Sequence, residues 1–359
     1  MGLSRELITW QNGKMKRLIP FVALAFAAPL LAQDEAEPVT PTSIVENAPH
    51  EDWVAIAPED ILVMELAPDR DGNPRTVYIQ LMPPPFSQGW VENIRTLAQQ
   101  HWWDGTSIYR VQDNWVTQWG GGAVEKEEPE GLKVVIEEEY VVREYSEGII
   151  RNVEAFFDRV EAREPGDPSP IESYQAGTVS ISDLPFGMTA MFDQGFPYSF
   201  KMEQHFASSV SPIHCYGSIG VARSLSPDTG SGTELYAVIG HAPRQLDRNI
   251  AVVARVIDGM EHLSSLPRGM GDAGFYEDDE ADKRVPILSV RLGSELMASG
   301  SEAAGQATTP QFEYLSTESE SFAAYVHSRA NRQDDFYKVP AGGVDICNAP
   351  VPVRRVLSE

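Results

Sequence analysis

Residues 103–121 read Trp103-Asp-Gly-Thr-Ser-Ile-Tyr-Arg110-Val-Gln-Asp-Asn-Trp115-Val-Thr-Gln118-Trp-Gly-Gly121, and this stretch decides the fold. Two apolar runs flank the polar residues Gln112–Asn114, so the pattern predicts two strands joined by a tight turn. Arg110 lies inside the first of these strands. Its ordinary explanation is a surface arginine paired with one of the chain's many carboxylates, and the alternative is a functional role.

The flanking sequence contains more short strands than helices. Ser87 is a candidate cap for a helix that carries Trp90, Ile94 and Leu97 on one face. Many short strands with few helices are typical of a closed antiparallel barrel or a sandwich rather than a parallel sheet. Apart from residues 103–121, strands are predicted over 62–66, 76–81, 217–222, 234–239, 250–257 and 285–292.

The composition is that of a folded and strongly acidic protein. The 359 residues are 42% hydrophobic, which is enough to bury a core and excludes disorder of the whole chain. Lys and Arg total 28 against 53 Asp and Glu, a net charge of −25. A chain this acidic repels phosphate groups, so nucleic acids and anionic membrane surfaces are poor partners. Two cysteines are too few for a four-thiolate zinc site.

Residues 1–32 are predicted to be a secretory signal peptide. The basic pair Lys16-Arg17 precedes an apolar run over 18–31 and the small residue Ala32. Met15, immediately before the basic pair, is an alternative start. The run is too short for a comfortable membrane span. We therefore expect a mature chain that is periplasmic or otherwise exported and not inserted in the membrane, with an uncleaved N-terminal anchor as the alternative.

The rest of the chain divides by composition. We predict an acidic flexible linker over 33–59, a barrel domain over 60–292, an acidic insertion within it over 123–213, and a C-terminal extension over 293–359. The linker is rich in Glu, Pro, Thr and Asp, and contains Trp53 as a late anchor. The extension contains one predicted helix, 319–332, which is expected to pack on the barrel.

Three blocks of the sequence resemble the cyclophilin family and follow the family's order. They are Ile108-Tyr-Arg110 with Trp115-Val-Thr-Gln118 and Gly120-Gly121, then Gly220-Val-Ala222 with Glu234-Leu-Tyr236, and last Leu246-Asp247 with Val256 and Gly259-Met260. The resemblance covers 60–122 and 214–292. The chain is therefore similar to an exported bacterial cyclophilin that has a long insertion and a C-terminal extension.

Membership of this family implies both a fold and an activity. Cyclophilins are mainly β, with an eight-stranded closed antiparallel barrel and two capping helices, and they isomerise X-Pro bonds in polypeptides without a metal or cofactor. The resemblance implies that Arg110 and Gln118 are catalytic. It implies substrate-binding roles for Trp115, Val116, Ala222, Glu234, Tyr236, Leu246 and Ile250. The expected partners are proline-containing polypeptides, and a monomer is favoured.

Departures from the family pattern keep two functions open. Glu234 stands where the family usually has Gln, and Ile250 replaces a pocket His. A Glu234 carboxylate paired with Arg110 would hold the arginine's charge away from substrate. Arg110 and Gln118 favour an exported isomerase that assists protein folding. Glu234 and the missing His favour a non-catalytic module that binds proline peptides or assists assembly in the cell envelope.

The two cysteines and the acidic runs allow further hypotheses. In an oxidising compartment, Cys215 and Cys347 are expected to form one disulfide that ties the extension to the barrel, with two buried thiols as the alternative. His214 beside Cys215 suggests a thiol nucleophile or a ligand pair, but no third partner is evident. The acidic runs 137–139 and 277–280 are expected to be solvated faces, because neither has the spaced ligands of a calcium loop.

Overall fold

Eight antiparallel strands close into a barrel in the computed structural model of the protein. The structure describes residues 39–122, 124–143, 182–183, 188–203, 206–298, 310–332 and 334–356, so the predicted signal peptide lies outside the described residues. The described strands are β1 (Trp53–Ala55), β2 (Ile61–Leu66), β3 (Arg75–Leu81), β4 (Ser107–Val111), β5 (Val116–Gly120), β6 (Val142–Arg143), β7 (Ser182–Asp183), β8 (Met188–Asp193), β9 (Phe196–Glu203), β10 (Phe206–Pro212), β11 (Ser218–Val221), β12 (Leu235–Val238), β13 (Val252–Asp258), β14 (Val285–Leu292), β15 (Gln311–Leu315) and β16 (Val353–Val356). The described α-helices are α1 (Pro41–Glu46), α2 (Gln88–Gln99), α3 (Glu261–Ser264), α4 (Gly293–Ala298) and α5 (Glu320–Ala330).

The barrel confirms the predicted fold class. Its strands follow the order β11-β12-β5-β4-β14-β2-β3-β13, and β13 closes the ring by pairing with β11. The predicted first hairpin is β2 with β3, in which Ile61 lies opposite Gln80 and Leu66 opposite Arg75. The predicted pair around residues 112–114 is β4 with β5.

Strand β2 is apolar on both faces because both faces are covered. Leu62 and Met64 point into the main core inside the barrel. Ile61 and Val63 point outward into a second apolar cluster that also contains residues of the C-terminal extension. Successive side chains of a strand alternate between its two faces. The unbroken apolar run in β2 therefore reflects a second layer outside the barrel.

Helix α2 packs on the barrel through the apolar face that its spacing predicts. Trp90, Ile94 and Leu97 are fully buried in the main core. Ser87 occupies the position before the helix in a left-handed conformation, and its side chain makes no capping hydrogen bond. The second helix near the barrel, α3, is a single turn that buries Leu263.

The inserted segment builds a sheet of its own beside the barrel. Strands β6 to β10 form a five-stranded antiparallel sheet in the order β6-β10-β9-β8-β7. Tyr198 of this sheet packs on Phe86, with 4.2 Å between ring centroids. Tyr140, which precedes β6, stacks on Trp90 of α2 at 5.3 Å. Aromatic contacts of this kind attach the insertion to the barrel and to α2.

The linker prediction is wrong for the described residues 39–59. Thr40 caps helix α1, and β1 pairs with β15 of the C-terminal extension in a sheet of order β1-β15-β16. Trp53 is buried under the Arg354 guanidinium, which lies 3.9 Å from the ring centroid. Composition indicated a flexible tether, but a partner strand from the far end of the chain supplies the hydrogen bonds that order β1.

The extension is more than the one helix predicted. It contributes β15 and β16 as well as α5, whose residues Phe322, Tyr325 and Val326 join the second apolar cluster outside β2. A disulfide joins Cys215, just before β11, to Cys347 in the extension, with 5.0 Å between the Cα atoms. Every helix in the described ranges is too short or too polar to span a bilayer.

Candidate active site

A β-bulge in β4 places two consecutive side chains on the same outer face of the barrel. Ile108 pairs with Trp119, and Arg110 pairs with Gln118, so β4 has one extra residue, Tyr109, against β5. A bulge interrupts the strict alternation of a strand and re-aims the side chains beside it. As a result, both Tyr109 and Arg110 reach the side chain of Gln118.

Arg110 is held from all three of its guanidinium nitrogens. Nε donates to the carbonyl of Ala273 at 2.8 Å, Nη1 to Oε1 of Gln118 at 2.9 Å, and Nη2 to Oε1 of Gln112 at 2.7 Å. The guanidinium also lies 5.0 Å from the ring centroid of Phe275. A guanidinium has five N–H groups, so one N–H on each Nη atom remains directed elsewhere.

No carboxylate in the described part of the chain pairs with Arg110, so the pairing considered for Glu234 is wrong. Glu234 instead accepts hydrogen bonds from the hydroxyl of Tyr109 and from the backbone N–H of Gly122, the latter at 2.7 Å. Tyr109 in turn accepts from Nε2 of Gln118 at 2.7 Å. Gln118 and Tyr109 therefore separate the carboxylate from the guanidinium.

Burial changes the pKa values in this hydrogen-bonded series, which we call the polar chain: Glu234, Tyr109, Gln118 and Arg110. Desolvation raises the pKa of Tyr109, and the neighbouring Glu234 carboxylate raises it further. Desolvation also raises the pKa of Glu234, although its hydrogen bonds from Tyr109 and Gly122 oppose that shift. Burial lowers the pKa of Arg110. An arginine guanidinium is not deprotonated in proteins, so Arg110 is charged at physiological pH.

An apolar cluster lies beside the polar chain. The cluster contains Val238 and six of the seven residues expected to bind substrate. These six are Trp115, Val116, Ala222, Tyr236, Leu246 and Ile250. Gln118 connects the two parts, since its register partners are Arg110 on β4 and Tyr236 on β12. Gly220 on β11 lies opposite Tyr236 on β12, and a Cβ at Gly220 would overlap the tyrosine ring. The absence of a side chain there lets the ring lie flat against the barrel.

A cavity of about 490 Å³ is lined in part by Gln118 and Glu234. Its far wall comes from the insertion, where Glu128 accepts hydrogen bonds from Ser231 and Thr233. The carbonyl of Val135 accepts another from Thr229 at 2.7 Å. These bonds fix the inserted segment beside the polar chain. Within the described residues, no group of three or more His, Cys, Asp or Glu side chains is arranged to hold a metal ion.

Comparison with known families identifies the family of this barrel. The model of the family described as cyclophilin type peptidyl-prolyl cis-trans isomerase/CLD matches residues 89–292, more than half of the chain. The chain belongs to this cyclophilin-type family. It is accordingly a peptidyl-prolyl isomerase by class, as the resemblance of its three sequence blocks implied.

One solved structure supports the cyclophilin fold of this chain. The cyclophilin AquaCyp293 from Hirschia baltica is similar over 86% of this chain and 94% of its own, with 18% sequence identity and a TM-score of 0.56. A cyclophilin-type isomerase from Cryptosporidium parvum is similar over 65% of this chain and 96% of its own, with 11% identity and a TM-score of 0.33. No curated protein matches the chain.

Three residues of the candidate site were not predicted. Tyr109, Gln112 and Phe275 all contact Arg110 or its partner Gln118. Gln112 lies two residues after Arg110, a spacing that could have suggested it. Regular strand alternation would place Tyr109 on the face opposite to Arg110, and the bulge interrupts that alternation. Phe275 lies in a distant loop and carries no sequence signal, because only the closed barrel brings that loop to β4.

Proposed function

We propose that the protein is an exported isomerase that accelerates rotation about X-Pro bonds in proteins folding outside the cytoplasm. The observation that carries the proposal is the state of Arg110. It is charged, fixed by three hydrogen bonds and free of any carboxylate partner in the described ranges. It stands next to Gln118, which adjoins an apolar cluster suited to a proline ring.

The chemistry requires no nucleophile. Rotation of an amide faces a barrier of roughly 18–20 kcal/mol, because twisting breaks the resonance of the C–N bond. The twisted amide leaves a lone pair on the prolyl nitrogen. A remaining N–H of Arg110 donates to that lone pair, and this bond is absent in the planar ground state. Binding that exists only in the transition state lowers the barrier.

Gln118 and the apolar cluster supply the ground-state contacts in this proposal. The proline ring packs against Val116, Tyr236 and their neighbours, while Gln118 holds the substrate backbone. Because Gln118 also receives a hydrogen bond from Arg110 at 2.9 Å, it places the substrate and the guanidinium in one frame. Fixing both groups in advance is what makes a hydrogen-bond donor effective in catalysis.

Export is inferred from the N-terminal sequence and from the cysteines. The basic pair and apolar run before residue 33 have the pattern of a signal peptide. A structural disulfide such as Cys215–Cys347 is stable in oxidising compartments. Sequencing the N-terminus of the native protein tests this part: we expect a start near Gln33. Recovery of intact residues 15–30 in a cytosolic fraction would contradict export.

Isomerase activity is tested with the full mature protein in a protease-coupled assay on an Ala-Pro peptide. We expect a rate that rises in proportion to enzyme concentration above the uncatalysed exchange, which takes tens to hundreds of seconds. A rate equal to the uncatalysed one would reject catalysis. Direct titration with the same peptide in its trans form should accompany the assay, because it reports binding without turnover.

A binding or assembly module remains the second candidate, and two residues favour it. Glu234 occupies the usual position of a Gln, so a carboxylate stands where the family pattern has an amide. Ile250 replaces a pocket His and makes the cluster wholly apolar on that side. Peptide binding without acceleration of exchange would establish this second function.

A further inference from the structure

A buried hydrogen-bonded relay lies directly behind the apolar cluster. His214 is fully buried, and its Nε2 lies 2.9 Å from the hydroxyl of Tyr236. Its Nδ1 lies 2.8 Å from Oδ1 of Asp247, and its backbone N–H donates to the same oxygen at 2.9 Å. The other carboxylate oxygen of Asp247 accepts from Nε of Arg244 at 2.6 Å. Asp247 and Tyr236 are also buried.

These partners determine the tautomer of His214. The carboxylate of Asp247 can only accept, so Nδ1 must carry a proton and donate to it. In the neutral ring Nε2 then has no proton, and it accepts from the Tyr236 hydroxyl. Arg244 balances the charge of Asp247. Each polar group of the relay therefore has a partner, as buried polar groups require.

The relay joins two parts of the apolar cluster that are distant in sequence. Tyr236 is on β12 and supplies its ring to the apolar cluster. Asp247 lies between Leu246 and Ile250, which pack against the same cluster from the loop before β13 and are called the Leu246–Ile250 wall below. His214 is the one side chain of the relay that contacts both. Its backbone is fixed in turn, because Cys215 is disulfide-bonded to Cys347.

We propose that His214 is a positioning residue that sets the distance between the Tyr236 ring and the Leu246–Ile250 wall, and so the width of the proline pocket. This inference rests on the proposed function and names the determinant of its substrate affinity. The order Tyr–His–Asp resembles that of a nucleophilic triad, but the Tyr236 hydroxyl is buried and faces His214 rather than the pocket. The relay therefore orients the wall and performs no chemistry.

The test uses the full mature protein and replaces each end of one hydrogen bond. His214→Asn keeps an amide donor near the position of Nδ1 but removes the acceptor of the Tyr236 hydroxyl. We expect KM for the Ala-Pro peptide to rise about tenfold, because a buried hydroxyl is left unpaired and the ring must shift. Because Arg110 is untouched, we expect kcat to fall less than about threefold.

Tyr236→Phe keeps the ring and removes only the hydroxyl. We expect KM to rise about threefold, since the ring loses its anchor but no polar group on it is left unpaired. The double variant His214→Asn/Tyr236→Phe should match Tyr236→Phe rather than the product of the two single effects. A purely structural role for His214 would lower the melting temperature without producing this rescue.

His101→Asn is the matched control, because His101 is exposed in the turn just after α2 and pairs with Glu295. It should leave KM and kcat unchanged. The proposal is overturned if His214→Asn leaves KM within about twofold of the parent, or if the two substitutions act additively. If the parent protein has no turnover, the peptide affinities of the same variants are compared instead. Equal affinities in the parent and the variants overturn the positioning role, and recovery of affinity in the double variant to the level of Tyr236→Phe supports it. If His214→Asn does not fold, an unchanged KM or peptide affinity in Tyr236→Phe overturns the proposal, and the threefold loss supports it.

Discussion

Arg110 donates to a carbonyl and two amide oxygens, all of them neutral acceptors. This arrangement orients the guanidinium without neutralising it. Lys cannot reproduce it, because an ammonium is a point charge without a planar fork of donors. The hydrogen bonds from all three guanidinium nitrogens thus explain why an arginine, rather than any other cation, stands at this position.

Replacement of Arg110 should separate catalysis from binding. We expect Arg110→Ala to lower kcat/KM by about 10²-fold or more, in line with other preorganised donors. Arg110→Lys should lose most of the same activity. Peptide affinity should fall much less in both, since it rests on the apolar cluster and Gln118. Steady-state isomerisation and peptide titration measure the two quantities.

Arg70→Ala is the control for Arg110, because Arg70 is exposed in the turn between β2 and β3. It should match the parent in both assays. Equal losses of affinity and turnover in the Arg110 variants would indicate that the arginine only anchors the peptide. Unchanged activity would reject its catalytic role.

Glu234 should make stability depend on pH. Burial raises its pKa above the ordinary 4.5, so the folded state holds this proton more tightly than the unfolded chain. Stability from this group is therefore greatest at low pH and is lost as the pH rises through the folded pKa. Glu234→Gln should remove that loss and become more stable than the parent at mildly alkaline pH.

Urea unfolding at mildly acidic and mildly alkaline pH measures this effect. Glu51→Gln is the control, because Glu51 is exposed and bonds to nothing in the polar chain. Parallel stability curves for Glu234→Gln and the parent would contradict the raised pKa.

At the scale of elements, several strands could be predicted from the sequence alone. Runs such as 62–66 and 76–81 predicted their strands, since apolar runs between turns have few alternatives. The bulge at Tyr109 was not predictable, because it depends on how β4 registers against β5. The sequence also did not predict that β1 is an ordered strand, because its partner β15 lies near the other end of the chain. Local patterns predict elements, whereas pairing between distant strands decides which face a side chain takes.

The loop after α3 positions Arg110 and depends on one carboxylate. Glu280 accepts from the side chain of Lys283 and from the backbone N–H groups of Met270 and Glu277. These bonds close the loop that presents the Ala273 carbonyl to Arg110. The run 277–280 is thus more than a solvated face, because Glu280 is buried within it.

Glu280→Gln should weaken this loop in a pH-dependent manner. The bond from Lys283, with those from Met270 and Glu277, lowers the pKa of Glu280 to about 2. Its stabilisation is therefore present above the ordinary value of 4.5 and is lost as the pH falls towards 2. The variant should be less stable than the parent at neutral pH, and the difference should vanish near pH 2. Thermal unfolding at several pH values measures it, and Asp279→Asn, exposed in the same run, is the control. A difference that stays constant with pH would contradict the assignment.

At the scale of the molecule, one disulfide ties the extension to the barrel. Cys215 and Cys347 are 132 residues apart. Closing so long a loop stabilises the folded state by about 5 kcal/mol in the chain-entropy model. We expect Cys215→Ser/Cys347→Ser to melt at a lower temperature than the parent, by an amount that calorimetry measures. Thiol titration of unfolded, unreduced protein should find no free thiol, and two free thiols per chain would reject the bridge.

The sheet β1-β15-β16 also has a consequence for the order of synthesis. Trp53 pairs with Leu315, so β1 leaves the ribosome long before its partner strand has been made. During that interval the outward side chains Ile61 and Val63 lack the residues that later cover them. A nascent chain halted before residue 311 would display this apolar strip to its surroundings, where holdase chaperones bind and aggregation begins. We therefore expect that a protein proposed to assist the folding of others itself needs protection until β15 has been made.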